Sequence, residues 1–502
     1  MEVLKLFIIL TTSLHMCMGY NVLLLAPVGS RSLYNLNLAL GENLINAGHN
    51  VTLVTTFNAS SSNVNIHHVH TGTTKEEMSQ DIFALRDTKN IFYIFRKVSI
   101  SRGEQMWQNP NILALWKRRN DFHAIVAISY MNEIIVPFLM DYEGAYIGFC
   151  TPGVEGFQVS NNGNWLPMST TPMLFLPLYQ YEVLMKRVVN EKNAVIGLIS
   201  FQLRLGLICP FKSKTYYKFV SGQPDSYYRV IYFLTLGATE IYSVFAIYPT
   251  KKNISQIFLK KLLREELEDF MSGSPDGVIY FSLGSIAKSS DIPHEYKEMF
   301  VEAFKKVPQR VVWKYEGQDL DLPPNVLTSK WLPQQDILGH TSARIFITHC
   351  GNLGTQEAKY HGVPMLAVPI SFDQPRNAAR LTRKGFAVTL NWDDKTVDRI
   401  VDAIKTLIDD FRYRERLQDV YKALQDQKES PGEQEVWWVE YAIRHKNSRH
   451  LRYAGKSLNF IQYHLLDVAA FWLVLFIGCF AGMSFCCIRC AGRSHFRSKL
   501  DY

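Results

Sequence analysis

Cysteine is scarce in the body of this chain. The sequence of 502 residues has 8 cysteines, and most of them lie in or beside apolar segments near its two ends. Only Cys150, Cys209 and Cys350 lie between those segments. Three cysteines cannot form the disulfide framework that defines many secreted folds. The sequence therefore excludes a disulfide-defined scaffold.

An excess of charge is also absent from most of the chain. Lys and Arg number 54 and Asp and Glu 46, so the formal net charge is 54 − 46 = +8. Residues 441–502 hold nine basic and two acidic residues, so +7 of this excess surrounds a C-terminal apolar segment. The rest of the chain is near neutral, which makes nucleic acid a poor candidate partner despite the basic pI.

Two apolar runs mark the ends of the chain. Leu6–Leu14 follows a lysine and precedes small residues near Gly19, as in a secretory signal peptide covering residues 1–19. Val468–Ile488 is an uncharged run of 21 residues, which is long enough to span a bilayer. The basic tail at 489–502 is typical of a cytoplasmic segment. The sequence therefore predicts a single-pass protein with its bulk in the lumen.

The chain is too long for one ordinary core, so two domains are expected, at 20–250 and 251–450. In the first, a continuous apolar strand at Asn21–Ala26 precedes an amphipathic helix at Tyr34–Ala47 and a second strand at Val51–Thr55. The second domain repeats this alternation. Both patterns are typical of doubly wound α/β domains with parallel sheets.

The most informative stretch is Trp331–Gln374. It reads as a buried strand, a turn containing His349, a helix containing Glu357, and a second strand that ends shortly before Asp373. The carboxyl ends of the two strands of such a βαβ unit meet at one edge of the sheet, where α/β proteins bind ligands. Amide groups at the helix N-terminus suit a phosphate, and the carboxylates suit sugar hydroxyls.

The wording of this stretch, WLPQQDIL followed by THCG and GTQEA, resembles the signature of the UDP-glycosyltransferases. This family includes the UDP-glucuronosyltransferases, and the wording is closest to its membrane-anchored invertebrate members. The resemblance implies a GT-B-like fold, in which two Rossmann-like doubly wound domains face each other across a cleft. The donor residues that it implies are Ser285, Trp331, Gln334, His349, Gly351, Glu357, Asp373 and Gln374.

The resemblance also assigns roles within this donor set. Trp331 stacks on the uracil, the neighbouring glutamine lies near the uridine, and Glu357 binds the ribose hydroxyls. His349 and the Gly351 turn face the diphosphate, with Ser285 as a second contact. The last two residues of the set bind the transferred sugar. The UDP-sugar is a co-substrate, so no cofactor is implied, and no Asp-x-Asp run is suited to holding a diphosphate-bound metal ion.

The catalytic pair of the family is missing from this chain. Family members generally carry a histidine after the first strand that deprotonates the acceptor hydroxyl, and an aspartate after a later strand that orients it. Counting along the chain places Leu33 and Ile128 at these two positions. A positioned base contributes about 10²–10⁴ in rate, because an alcohol is a poor nucleophile at neutral pH.

Three interpretations of this departure remain open. The chain is a transferase for acceptors that need no base, such as amines or acidic hydroxyls. Alternatively, another residue supplies the base, and His67, His68 and His70 are candidates near a strand end. In the third interpretation the protein is a pseudoenzyme, which binds the donor without transferring its sugar and acts as a partner of active relatives.

The resemblance implies inverting transfer of a hexose from a UDP-sugar to a small lipophilic acceptor. Glucose is the first choice of sugar and glucuronate the second. The resemblance places the protein in the endoplasmic reticulum membrane and leaves homo- or hetero-oligomers with related transferases open. Asn-x-Ser/Thr sites occur at Asn50, Asn58 and Asn253. Asn58, in a polar loop, is the better glycosylation acceptor, because Asn50 opens an apolar strand.

Overall fold

The structure is a computed structural model. It describes residues 19–28, 31–58, 65–72, 101–128, 134–149, 261–285, 287–371, 373–426, 428–445 and 466–497. At a few helix and strand positions, among them Ile128, only the backbone is described. Nearly all of the predicted signal peptide, the segment 150–260 with Asn253, and the last residues of the tail lie outside these ranges.

The first domain contains a five-stranded parallel sheet with strand order β3-β2-β1-β4-β5. Its strands are β1 (Asn21–Ala26), β2 (Asn50–Thr55), β3 (His67–His70), β4 (Ala124–Ile128) and β5 (Ala145–Phe149). Its helices are α1 (Arg31–Asn46), α2 (Pro110–Lys117) and α3 (Val136–Leu139). The leucines of β1 are fully buried, as its continuous apolar run predicts for a central parallel strand.

The second domain contains a six-stranded parallel sheet with strand order β11-β10-β9-β6-β7-β8. The strands are β6 (Val278–Ser282), β7 (Arg310–Lys314), β8 (Val326–Ser329), β9 (Ala343–Thr348), β10 (Met365–Ala367) and β11 (Ala387–Thr389). The helices are α4 (Lys261–Ser272), α5 (His294–Lys305), α6 (Gln334–Gly339), α7 (Asn352–His361), α8 (Gln374–Arg383), α9 (Val397–Asp409) and α10 (Arg412–Gln425).

The strand order fixes the ligand-binding edge of each sheet. In the first sheet the order reverses between β1 and β4, and in the second it reverses between β6 and β9. Ligands of open α/β sheets bind in the crevice outside the carboxyl ends of the two strands that flank such a reversal. The segments after β1, β4, β6 and β9 therefore line the two edges that matter for function.

A last helix of the globular part, α11 (Pro431–Arg444), returns to the first domain. It begins with a capping box, in which Ser430 and Glu433 bond reciprocally to each other's backbone amides. Val439, Ala442 and Ile443 are buried in the same apolar cluster as the α1 face of the first sheet. The sequence assigned this segment to the second domain by its position in the chain, but its apolar face packs on the first.

The predicted C-terminal span lies within one long helix, α12 (Leu466–Arg497). Among the described residues, no helix is both long and apolar enough to cross a membrane. The side chains of Ala469 and of residues 486–497 are outside the description, so the described part of the run is shorter than the run in the sequence.

Two of the predicted glycosylation sites lie in the described part. Asn50 is the first residue of β2, where it is exposed and donates from Nδ2 to Oδ1 of Asn21 over 3.1 Å. The expectation that the apolar strand buries Asn50 is therefore wrong, because the first residue of the strand is exposed to solvent. Asn58 is exposed after the end of β2.

Candidate functional site

The edge beyond β6 and β9 holds a histidine that is enclosed by two glycines. A Cβ atom added to Gly284 would lie 2.6 Å from Cε1 of His349, and one added to Gly351 would lie 2.6 Å from its Nε2. Gly284 also has a φ of +84°, which disfavours any side chain there. The imidazole thus lies between the turn after β6 and the start of α7. It fits there because positions 284 and 351 are both glycine.

His349 is kept neutral by its surroundings. Burial, together with the positive charge of Lys314, lowers the pKa of His349 to about 4. Its Nδ1 atom is buried without a hydrogen-bond partner among the described residues. A neutral imidazole carries one N–H donor, so at neutral pH this ring can donate one hydrogen bond to an anion at the N-terminus of α7 without adding a full charge.

Cys350 follows this histidine in a left-handed conformation with a φ of 63°. Its amide donates to Oγ1 of Thr348 over 3.2 Å, and its side chain is fully buried. Burial in an apolar cluster raises the pKa of the thiol well above its ordinary range, so the thiolate is not available as a nucleophile. The conformation is one that glycine adopts most readily.

Glu357 on α7 is the centre of a hydrogen-bonded network. Its carboxylate accepts from the side-chain amides of Gln334 and Gln335, the latter over 2.8 Å. Tyr280 donates to Oε1 of the first glutamine over 3.3 Å, and His361 contacts Oε1 of the second over 3.0 Å. Burial raises the pKa of Glu357 to about 7, against the opposing effect of the two amide donors.

Trp331 stands at the open side of this network. Its side chain remains 40% exposed, so one face of the indole is free to stack on a planar ligand. The ammonium group of Lys314 lies 5.9 Å from the centre of the ring and is paired with Glu316. Lys314 is the last residue of β7, and it places a buried cation near the tryptophan whose charge also acts on His349.

The start of α8 carries the last two predicted donor residues. Asp373 is the N-cap residue of α8, and burial raises the pKa of its carboxyl while Asn377 and the Asn352 amide oppose that shift. The side-chain oxygen of Gln374 accepts from the amides of Ile370 and Ser371 over 2.8 and 2.9 Å. That oxygen holds the turn, which leaves the NH₂ group of the side chain for a ligand.

The predicted donor residues therefore meet at one edge of the second sheet. Sequence reasoning missed four neighbours that complete the site, which are Tyr280, Lys314, Gln335 and Asn377. The doubled glutamine in the WLPQQDIL run was a visible signal for the third of these. The other three become visible only when separate strands and helices are brought together.

The two domains touch at this site. Oγ of Ser32, on the first turn of α1, lies 2.8 Å from Oγ of Ser285. Leu33 follows directly, is half-buried, and packs against the apolar core of the first domain, as does Leu353 from α7. The position predicted for the family's base thus holds an apolar side chain at the contact between domains. Ile128 ends β4, beside β1, and its side chain is outside the description.

The histidines on β3 differ in what they offer as a base. His67 begins the strand, so it lies towards the edge opposite the ligand edge. Both ring nitrogens of His70 are bonded, to the Thr56 carbonyl and from the Gly72 amide, each over 3.0 Å. Both nitrogens of His68 are buried without a partner among the described residues, and burial lowers its pKa.

His49 takes no part in the ligand edge. It lies between α1 and β2, accepts from the Tyr20 amide over 3.2 Å, and contacts the Glu440 carboxylate over 3.1 Å. An Asp-x-Asp sequence does occur after β7, at Asp319 and Asp321. The first of these carboxylates is bound by the Lys297 ammonium over 2.7 Å and by the hydroxyl of Tyr315.

Solved structures share this architecture over most of the chain. The glycotransferase of kitacinnamycin aligns with a TM-score of 0.54 at 18% identity, over 85% of this chain and 99% of that one. A UDP-glucosyltransferase from Polygonum tinctorium, capable of glucosylating indoxyl and solved with 3,4-dichloroaniline, gives 0.54 at 16% identity with the same coverage. The fold with its two parallel α/β sheets is that of the GT-B-like glycosyltransferases.

Sequence relatives narrow this class. The family described as "UDP-glucoronosyl and UDP-glucosyl transferase" matches residues 233–498. UDP-glucosyltransferase 2 of Dactylopius coccus is 31% identical over 91% of this chain and 90% of its own length. UDP-glucuronosyltransferase 2B18 of Macaca fascicularis is 31% identical over 82% of this chain and 79% of its own. The chain belongs to the UDP-glycosyltransferase family of transferase enzymes.

Proposed function

We propose that this protein transfers a hexose from a UDP-sugar to a small lipophilic acceptor, by direct displacement with inversion at the anomeric carbon. The observation that carries the proposal is the gathering of the predicted donor residues at the reversal point of the second sheet. A neutral imidazole, helix amides, a networked carboxylate and an open indole face there match a diphosphate, a ribose and a uracil.

Glucose is the proposed sugar, with glucuronate second. Support comes from the wording of the signature stretch and from the relative named UDP-glucosyltransferase 2, which matches more of this chain than the glucuronosyltransferase 2B18 does. In the donor site, Asp373 and the NH₂ group of Gln374 provide an acceptor and a donor for the hydroxyl groups of a hexose.

The proposed acceptors are amines or hydroxyls that are already acidic. The support is Leu33, which has no titratable group and packs into the first domain at the position of the family's base. An amine attacks through its own lone pair, and an acidic hydroxyl is partly ionised at neutral pH. Neither needs the proton transfer that a positioned base supplies to an ordinary alcohol.

Microsomes that contain the protein test this choice with labelled UDP-glucose and UDP-glucuronate, offered with a phenol and an aromatic amine side by side. Transfer to the amine alone is the expected result. Transfer to the phenol as well would contradict it, because another residue would then supply a base. His68→Gln with His67→Gln as its control then locates the base, because loss of about 100-fold in transfer from the first variant alone identifies His68.

A pseudoenzyme that binds the donor without transferring its sugar is the second candidate, favoured by the same apolar side chain at position 33. Transfer to the aromatic amine by the parent separates the two candidates, because a pseudoenzyme modifies neither acceptor. The variant Leu33→His then tests whether the donor site supports transfer once a base is present. If donor binding is intact and this variant gains transfer to a phenol that the parent does not modify, the donor site is competent and only the base was missing.

The proposed location is the endoplasmic reticulum membrane, with both domains in the lumen and α12 as anchor. Support comes from the exposed apolar side chains of this helix, among them Phe471, Val474 and Phe476, and from the absence of charge between Val468 and Ile488. Carbonate extraction of microsomes is the test. The protein should stay in the pellet, whereas its release into the supernatant would contradict the proposal that α12 anchors it in the membrane.

A further inference from the structure

The two turns that are predicted to face the diphosphate and the hexose are separate in the chain but adjacent in space. The first turn follows β9 and contains His349 and Cys350, and the second follows β10 and contains Asp373. Strands β9 and β10 pair in parallel, with Thr348 opposite Ala367. Both turns therefore leave the sheet side by side at the ligand edge, although no covalent link fixes the distance between them.

One side chain joins the two turns. Asn377 lies on the first turn of α8, and its Nδ2 atom is 3.0 Å from the Cys350 carbonyl oxygen and 2.7 Å from Oδ2 of Asp373. A side-chain NH₂ group has two hydrogens, so each turn receives one of them. The backbone amide of Asn377 donates to the Asp373 carbonyl over 2.9 Å. This hydrogen bond fixes the backbone from which the side chain extends.

Both acceptors need such a restraint. Cys350 has a left-handed backbone, and its amide is held by Thr348, so the bond to its carbonyl fixes the other side of the same residue. Asp373 is a buried carboxylate, for which an ionised form is costly without donors. The Asn352 amide and Asn377 supply those donors, and the first of them belongs to the N-terminus of α7.

We propose that Asn377 is a positioning residue that fixes the separation of these two turns and so aligns the diphosphate and the hexose of a bound UDP-sugar. The inference rests on the proposed function, because it assigns the two ends of the donor to these turns. Asn377 itself need not touch the donor. Its removal weakens binding of the intact UDP-sugar more than binding of UDP, which lacks the group that Asp373 faces.

The test compares Asn377→Leu with Asn325→Leu in the full-length protein. Asn325 makes a matched control, because its Nδ2 atom also bridges two acceptors, the carbonyls of Phe304 and Gln309, over 2.9 and 3.1 Å. It lies at the opposite end of β7 from the donor edge, before β8. Each variant loses an NH₂ group that donates to two acceptors. Only in Asn377→Leu do those two acceptors belong to the two turns of the donor site.

Dissociation constants for UDP and UDP-glucose are measured by calorimetry, with melting temperatures alongside. Asn377→Leu should raise the UDP-glucose constant about tenfold or more relative to UDP, as expected for losing a hydrogen bond to a charged group. Asn325→Leu should lower the melting temperature and leave the ratio of the two constants unchanged. An equal loss of both ligands in Asn377→Leu would overturn the proposal.

A second readout is the pH dependence of that same ratio. Glu357 affects both ligands alike, so its titration cancels, whereas Asp373 faces only the hexose. Without the Asn377 donor the Asp373 carboxyl protonates more readily, so preference for UDP-glucose should disappear at a higher pH than in the parent. Coincident pH profiles would overturn the positioning role. A parent protein that binds neither ligand would instead overturn the proposed function.

Discussion

Cys350 illustrates how much one residue can explain at the site. Its φ of 63° is a conformation that costs a non-glycine residue roughly 1 kcal/mol. Glycine would adopt this backbone conformation without that cost. The thiol is retained as a small buried side chain, and its raised pKa removes it from the chemistry.

Glu357 gives a prediction that depends on pH. Its pKa is raised to about 7, so the carboxylate that is proposed to accept hydrogen bonds from ribose becomes protonated as the pH falls through about 7. Affinity for UDP should therefore fall as the pH is lowered from about 8 to about 6. Glu357→Gln should bind UDP about tenfold more weakly at the higher pH and show a flatter profile.

Calorimetry at three pH values across that interval measures this effect. Glu415→Gln, an exposed change on α10, is the control and should follow the parent. A Glu357→Gln variant with the parent's affinity for UDP at high pH would show that ribose binding does not depend on this carboxylate.

At the residue scale, the sequence predicted which residues lie at the ligand edge better than it predicted the hydrogen bonds that they make. The order of strand, turn and helix was enough to place His349, Glu357 and Asp373 together, because parallel strands end at a common edge. It could not show that Gln374 uses its oxygen to hold its own turn. Such contacts depend on rotamers and on neighbours that are distant in the chain.

At the scale of elements, apolar runs predicted the central strands almost to the residue. β1 was predicted at its observed bounds, and the buried strand predicted within Trp331–Gln374 is β9. The edge strand β8 was missed, because each of its four residues is only half-buried and VLTS carries little apolar signal. Helix α8 was missed as well, since its arginines and its early proline obscure the periodicity.

The turn after β6 yields a prediction at this scale. Gly284→Ala should destabilise the fold by about 1–3 kcal/mol, because the position combines a left-handed backbone with a steric conflict against His349. The displaced imidazole should also weaken UDP binding. Melting temperature and UDP affinity are the two measurements.

Gly48→Ala is the matched control for that change. Gly48 has a φ of +91°, but an added Cβ would meet nothing within 4 Å. It should therefore show the backbone cost alone, about 1 kcal/mol, with unchanged UDP affinity. Equal UDP affinity in both variants would mean that the packing of His349 against Gly284 does not matter for the donor.

At the scale of the whole molecule, the hydroxyl pair of Ser32 and Ser285 links the two domains at the donor edge. Ser32→Ala and Ser285→Ala should each raise the KM for UDP-glucose by about three- to tenfold. The double variant should be no worse than either single one, since the two hydroxyls act together. Effects that multiply would show that they act independently. Ser272→Ala, on the outside of α4, is the control.

The contact between α11 and α1 gives a prediction on stability. Glu435 is 4% exposed, accepts from Asn43 over 3.2 Å, and has a pKa raised by burial to about 7. A carboxyl with a raised pKa stabilises the fold fully below its unfolded value, and this contribution is lost as the pH rises to the folded value. The protein should therefore lose stability between about pH 4.5 and pH 7 through this group.

Glu435→Gln removes that dependence. At about pH 8 it should raise the free energy of unfolding by about 1–3 kcal/mol, and near pH 4.5 it should match the parent. Thermal unfolding at the two pH values measures the difference, with the exposed Glu429→Gln as control. A variant that is less stable than the parent at high pH would contradict the assignment.

The packing of α11 on the first sheet also has a consequence for folding during synthesis. The ribosome completes strands β1 to β5 long before it reaches Val439, Ala442 and Ile443, which cover the α1 face of those strands. During the synthesis of the whole second domain, that face lacks its contact with α11. Newly made chains should therefore depend on chaperones until the last helix emerges, and termination of translation before Pro431 should yield protein that is degraded rather than a free first domain.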